Sequence, residues 1–239
     1  MDAYTASIYQ DMTAMYEALR SYIDRGTVTV KDQDGTITSQ FAFATHFKKP
    51  HFYRFELSLI DRTEPAVLWC DGAETYLKRY TDEKPTTKSD ISSGLASLTG
   101  RSQGAPLPIY AMLLDDEDQI TRKKWSGISN GVHQGIVEID GQSCHKILAG
   151  ANNYLYIAKD RLTIQRIERY MQVTGISVEK LLRPNRFGSV SGFRFWLKAK
   201  LETIKDPEFG QAQDFEQYTT IDYGEVCLNL AIPDHVFAE

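Results

Sequence analysis

The chain has 239 residues, 42% apolar and 25% charged, and a net charge of −5. That is an ordinary globular composition, long enough to bury roughly three quarters of its unfolded surface. The acidic balance excludes a nucleic-acid footprint and purely electrostatic docking on anionic lipid, and no apolar run approaches the ~20 residues of a membrane span.

The first residues, MDAYTASIYQDM, lack a basic n-region and an apolar h-region, so they do not read as a signal peptide. A cytosolic protein and a mature envelope form both fit. Ile8, Met12, Met15, Leu19 and Tyr22 recur at steps of four and three, which predicts a helix ended by Gly26. GTVTV then opens a first strand, and Asp34-Gly35 is a hairpin turn leading into TSQFAFATHFKKPHFYRFEL. In that stretch Phe41, Phe43, Thr45 and Phe47 share one face. Tyr53, Phe55 and Leu57 share one face of the next strand. Read from the residues alone, such alternation is packing. Lys48-Lys49-Pro50-His51 between the two strands reads as a solvated hairpin tip.

Asp71-Gly72, Asn130-Gly131 and Asp140-Gly141 are further turns, so the chain reads as an antiparallel meander. Two helices interrupt it. Asp90 can cap ISSGLASLTG, with Ile91, Leu95 and Leu98 on one face. Pro106 and Pro108 open IYAMLL, which stops at the acidic Asp115–Asp118. NYLYIA and TIQRIERYMQV continue the meander after Trp125, and FEQYTTIDY is a last strand. Between 175 and 210, Phe193, Leu197, Leu201 and Ile204 predict a helix face, although Phe193, Phe195 and Leu197 also suit a strand. The sum is a single α+β domain over residues 1–239.

Chemistry is sparse. Cys70, Cys144 and Cys227 are widely spaced with no CxxC. The count leaves room for one bridge, but three separate buried thiols is the preferred reading. Cys144-His145 points to opposite strand faces, and the histidines lack metal-ligand spacing. The run Asp115–Asp118 lacks the alternation and glycine of an EF-hand. GSVSG puts Val190 where a nucleophilic serine would stand. No enzyme activity, metal or cofactor is expected.

The Lys49-Pro50 turn, then HFYRFEL, then VLWCDGAETYLKRY, together with the ending LNLAIPDHVFAE, resembles the LolA-like and LolB-like periplasmic lipoprotein carriers. The pattern is most like an uncharacterised bacterial envelope branch. The resemblance implies a curved, unclosed antiparallel β-barrel with helices covering its concave face. It implies a cavity between sheet and helices for an apolar small molecule or lipoprotein acyl chain, with the helices over 90–100 and 106–114 as a lid. The implied ligand-binding set is Phe41, Phe43, Phe47, Lys49, Tyr53, Phe55 and Leu57 from the strands, and Ile109, Met112 and Leu113 from the lid. Phe55 matches the family's cavity-wall aromatic. Lys49 stands where the carriers have a lid-locking arginine, and lysine lacks the planar five-donor fork. The implied location is the periplasm or cell envelope. An alternative is a sensor or interaction module on the same fold, with an envelope protein as partner and no cargo.

Overall fold

The computed structural model describes residues 1–59, 64–113, 131–150, 153–176 and 213–238. Helix α1 spans Ala3–Ala18, and Asp2 caps it by accepting from the Thr5 amide at 2.9 Å. Its buried stripe is Ile8, Met12 and Tyr16, with Met15 only partly buried. The helix stops earlier than its apolar period predicts. Leu19 is already the C-cap, and Tyr22 lies in strand β1 (Ser21–Asp32). There Tyr22 pairs with Phe47 on one side and Leu228 on the other. Pairing on both sides satisfies the backbone while keeping Tyr22 in the core, so the sheet overrides the helical pattern.

Gly26 is a second correction. It does not end a helix but sits inside β1 at a register shift against the last strand. A Cβ there would stand 2.0 Å from the Asp222 carbonyl oxygen and 2.5 Å from the Phe43 ring. Glycine therefore lets an aromatic ring lie directly on the central strand.

Strands β2 (Ile37–Lys48), β3 (Phe52–Leu59), β4 (Ala66–Asp71), β5 (Thr75–Lys78) and β6 (Thr86–Lys88) follow as a meander. Helices α2 (Ile91–Ser102) and α3 (Leu107–Leu113) come next. Then come β7 (Val132–Ile139), β8 (Gln142–Leu148), β9 (Asn153–Ala158), β10 (Ile164–Ile176), β11 (Gln213–Leu228) and a 3-10 turn, Asp234–Phe237. Asp140 and Gly141 both take positive φ, 49° and 81°, as a two-residue hairpin turn requires. Strand β6 had no sequence signal, and β10 runs on through Gly175 and Ile176. The expected helix through Phe193, Phe195, Leu197, Leu201 and Ile204, Trp125, Asn130, Val190 and the acidic run Asp115–Asp118 lie outside the described residues.

All neighbouring strands are antiparallel, in the order β6-β5-β4-β3-β2-β1-β11-β10-β9-β8-β7. Strands β6 and β7 are the two edges, so the sheet is curved and open rather than closed. The three helices bury their apolar sides with the inner face in one core cluster. This is the unclosed half-barrel of the α+β class. The tail packs on the other face. Phe237 is fully buried, its ring 5.4 Å from that of Phe52, and Arg54 Nη1 donates to the Ala238 carbonyl at 2.8 Å. Among the described residues, no helix is long and apolar enough to cross a membrane.

The difference between Met12 and Met15 sets a test. Met12→Ala, at a fully buried site, is expected to cost about 2–5 kcal/mol. Met15→Ala, at a partly buried one, should cost clearly less. Urea denaturation of both variants checks the order.

Candidate functional site

Strand pairing arranges the inner face as rows that run across the sheet. One row is Leu228, Tyr22, Phe47, Tyr53 and Cys70. The next is Val226, Asp24, Thr45, Phe55, Leu68 and Leu77. The third is Tyr223, Gly26, Phe43, Leu57 and Ala66, and the fourth holds Ile221, Val28, Phe41 and Leu59. The period-two reading of β2 and β3 therefore places Phe41, Phe43, Phe47, Tyr53, Phe55 and Leu57 together on the inner face, all buried. Phe43 contacts Phe55 in a stacked arrangement at 6.1 Å and Tyr223 edge-on at 5.5 Å, both favourable aromatic geometries.

The helices close over these rows. Asp90 caps α2 by accepting from the Ser93 amide at 2.6 Å, as its sequence predicts. Gly94 lets α2 sit flush, because a Cβ there would meet Leu68 at 2.2 Å. Leu95 and Leu98 point into the core. On α3, Ile109, Met112 and Leu113 are buried, and the Tyr110 ring meets Tyr53 edge-on at 5.8 Å. The corner between the helices turns through Gln103 and Gly104, both left-handed, with φ of 51° and 73°.

Three side chains of the sheet hold that corner. Arg169 Nη1 donates to the Gln103 carbonyl at 2.6 Å. Tyr223 Oη donates to the Ala105 carbonyl at 2.6 Å, and Gln217 Nε2 reaches Gln103 Oε1 at 3.5 Å. Desolvation pulls the Arg169 pKa below the ordinary arginine value, although the residue keeps some exposed area. Among the described residues, no carboxylate pairs with it. Lys49 does a different job. It lies half-buried at the β2–β3 turn, where its Nζ donates to the Glu17 carbonyl near the end of α1 at 2.6 Å.

Asp24 is the other group that sequence reasoning missed. It is fully buried in the second row, directly opposite Thr45. Tyr22 Oη donates to its Oδ2 at 2.9 Å. Its Oδ1 has no hydrogen-bond partner, and neither do Thr45 Oγ1 and Tyr53 Oη. Thr45 lies near enough to favour the charged carboxylate, but without good hydrogen-bond geometry. Burial dominates and pushes the pKa up to about 7. The same burial, reinforced by the Asp24 charge, drives the Tyr22, Tyr53 and Tyr223 phenols well above their ordinary pKa.

Elsewhere, His145 turns toward His133, with Nδ1 and Nε2 3.2 Å apart. The Gly135 amide donates to His133 Nδ1, so His133 carries its proton on Nε2 and donates to His145. Tyr4 of α1 meets both rings edge-on. Among the described residues, no three potential metal ligands cluster. Cys70, Cys144 and Cys227 are free and lie on β4, β8 and β11.

No family model and no curated protein matches the chain. Solved structures similar along nearly its whole length include the lipoprotein LppX of Mycobacterium tuberculosis, at 13% identity and TM-score 0.44, covering 98% of this chain and 99% of that one. A LolA superfamily protein from Nitrosomonas europaea aligns at 9% identity and TM-score 0.37, covering 98% and 97%. An uncharacterized conserved protein from Thermus thermophilus aligns at 8% and 0.47, covering 97% and 93%. At these identities and TM-scores, residue roles rest on this chain's own geometry.

The pKa of Asp24 gives a signed prediction. The folded protein holds a proton there that the unfolded chain releases near pH 4, so this contribution falls as pH rises from about 4 to about 7 and then levels. The span is about 4 kcal/mol. Asp24→Asn removes it. The variant should gain stability over the wild type at pH 8 and lose most of that advantage at pH 4.5, read from urea midpoints.

Proposed function

We propose that the chain is a non-catalytic binder of an apolar ligand, a lipid or lipoprotein acyl chain, held between the inner face and the α2–α3 lid in the bacterial cell envelope. One observation carries this reading. The aromatic rows of β2 and β3 are covered by two short helices seated through apolar contacts, with Arg169 and Tyr223 hydrogen-bonded to the corner between them. Short helices of this kind can lift as a unit and leave a wall of rings behind, as local opening units do. The ligand-facing set on this reading is Phe41, Phe43, Phe47, Tyr53, Phe55 and Leu57 with Ile109, Met112 and Leu113. Lys49 steadies the α1 end of the same enclosure.

A second reading has its own observation. Strand β7 is a sheet edge that exposes Val132 and Ile136. An exposed apolar edge is a template for another strand, which fits an interaction module with an envelope protein partner.

Phe55→Ala separates a ligand wall from solid core. A solid-core site loses about 3–5 kcal/mol with no specific change in binding of an apolar fluorescent probe. A ligand wall shows a smaller loss and altered probe affinity, which is the outcome expected here. Native mass spectrometry of the wild type should also show a bound lipid. A core-sized loss with no probe binding by the wild type would leave only the fold. The latch has its own test: Arg169→Met should speed amide exchange through α2 and α3 while leaving β1–β3 protected.

A further inference from the structure

The enclosure proposed above has a polar end, and its chemistry names a head group. Asp24 Oδ1, Thr45 Oγ1 and Tyr53 Oη are buried oxygens without hydrogen-bond partners, carried by three consecutive strands, β1, β2 and β3. Asp24 and Thr45 are directly opposed, and Tyr53 lies one row away on the next strand. The Asp24 charge adds to the burial that raises the Tyr53 phenol. Leaving buried polar atoms unpaired costs free energy, so the set calls for a guest that satisfies it.

The surroundings decide which guest. Tyr16 of α1, Tyr22 of β1, Tyr53 of β3 and Tyr223 of β11 all feel the Asp24 charge. Burial, Thr45 and Tyr22 shift Asp24 itself, and among the described residues no cation does. A buried acid with no counter-ion among the described residues, ringed by phenols, is the setting that favours an ammonium through charge and ring faces together. We propose that this node receives the protonated primary amine of a long-chain amphiphile, whose alkyl chain lies along the aromatic rows. This rests on the apolar-ligand reading above. An alkylammonium can donate to Asp24 Oδ1 and to the two hydroxyl oxygens, and it brings the positive charge that the carboxylate lacks. A guest hydroxyl can donate to Asp24 Oδ1 and accept from the Thr45 and Tyr53 hydroxyls, but it brings no positive charge to the carboxylate. A carboxylate brings like charge to Asp24.

The test compares three probes of one chain length: dodecylammonium, dodecanol and dodecanoate. Each displaces a neutral apolar fluorescent probe from the full chain. At pH 8 dodecylammonium is expected to bind at least about tenfold more tightly than the other two, the scale of a charge-assisted contact. At pH 5.5, where Asp24 is protonated, the preference should shrink. Asp24→Asn should abolish it at both pH values. Tyr53→Phe keeps the ring and removes one acceptor, so it should reduce the preference without lowering the urea midpoint; this variant decides the matter if Asp24→Asn does not fold. Equal binding of all three probes overturns the head-group assignment and leaves the chain-binding reading standing. Displacement by none of them removes that reading and this inference with it. A crystal soaked with dodecylammonium that shows only a water between the three oxygens also overturns the assignment.

Discussion

Strand β1 is hydrogen-bonded along its length on both sides, to β2 by a local hairpin and to β11 from the far end of the chain. The β1–β11 pairing joins two meanders, β1–β6 and β7–β11, into one sheet. Everything on the inner face depends on it. It brings Tyr223 and Ile221 beside Gly26 and Val28, and through β10 it carries Arg169 to the lid corner. Gly26 is the local condition for this junction, since any side chain there collides with the β11 backbone and the Phe43 ring.

The inner face that results is largely apolar, with a buried carboxylate among its rings and a polar patch at the helix corner. Rings and aliphatic chains surround Asp24, whose burial works against its charge. A core built only for stability favours an apolar residue at such a place, because a buried carboxylate without a counter-ion is costly. The tension between the carboxylate and its surroundings links packing to function. It sets how stability falls with pH, and it is the feature on which the proposed head-group site rests.

The lid follows the same division of labour. Apolar contacts from Leu95, Leu98, Ile109 and Met112 seat the helices, while Arg169, Gln217 and Tyr223 hold one corner through hydrogen bonds. Apolar burial is non-directional and tolerates sliding, whereas a hydrogen bond to a single carbonyl fixes position. On the proposed reading, helices seated one way and latched the other are released without unfolding the sheet beneath.

The sequence by itself determined the local order: hairpins at Asp34-Gly35, Asp71-Gly72 and Asp140-Gly141, the Asp90 cap, and the alternation that puts Phe41, Phe43, Phe47, Tyr53, Phe55 and Leu57 on one face. Those features depend on backbone preference and a period of two, which neighbouring residues encode. It also carried the half-barrel class, through short motifs in a recognisable order. Asp24 was hidden because the helical period of Ile8 to Leu19 extends to Tyr22, which masks the strand phase of Tyr22, Asp24, Gly26 and Val28. Whether Tyr22 continues a helix or starts a strand is settled by Phe47 and Leu228, and a pattern within one segment cannot contain them. The partners of Arg169 and Tyr223 were likewise beyond reach, since Gln103 and Ala105 meet them only after the sheet has closed around β1. Long-range pairing decides which polar groups face one another, because their separation along the chain carries no signal of their separation in space.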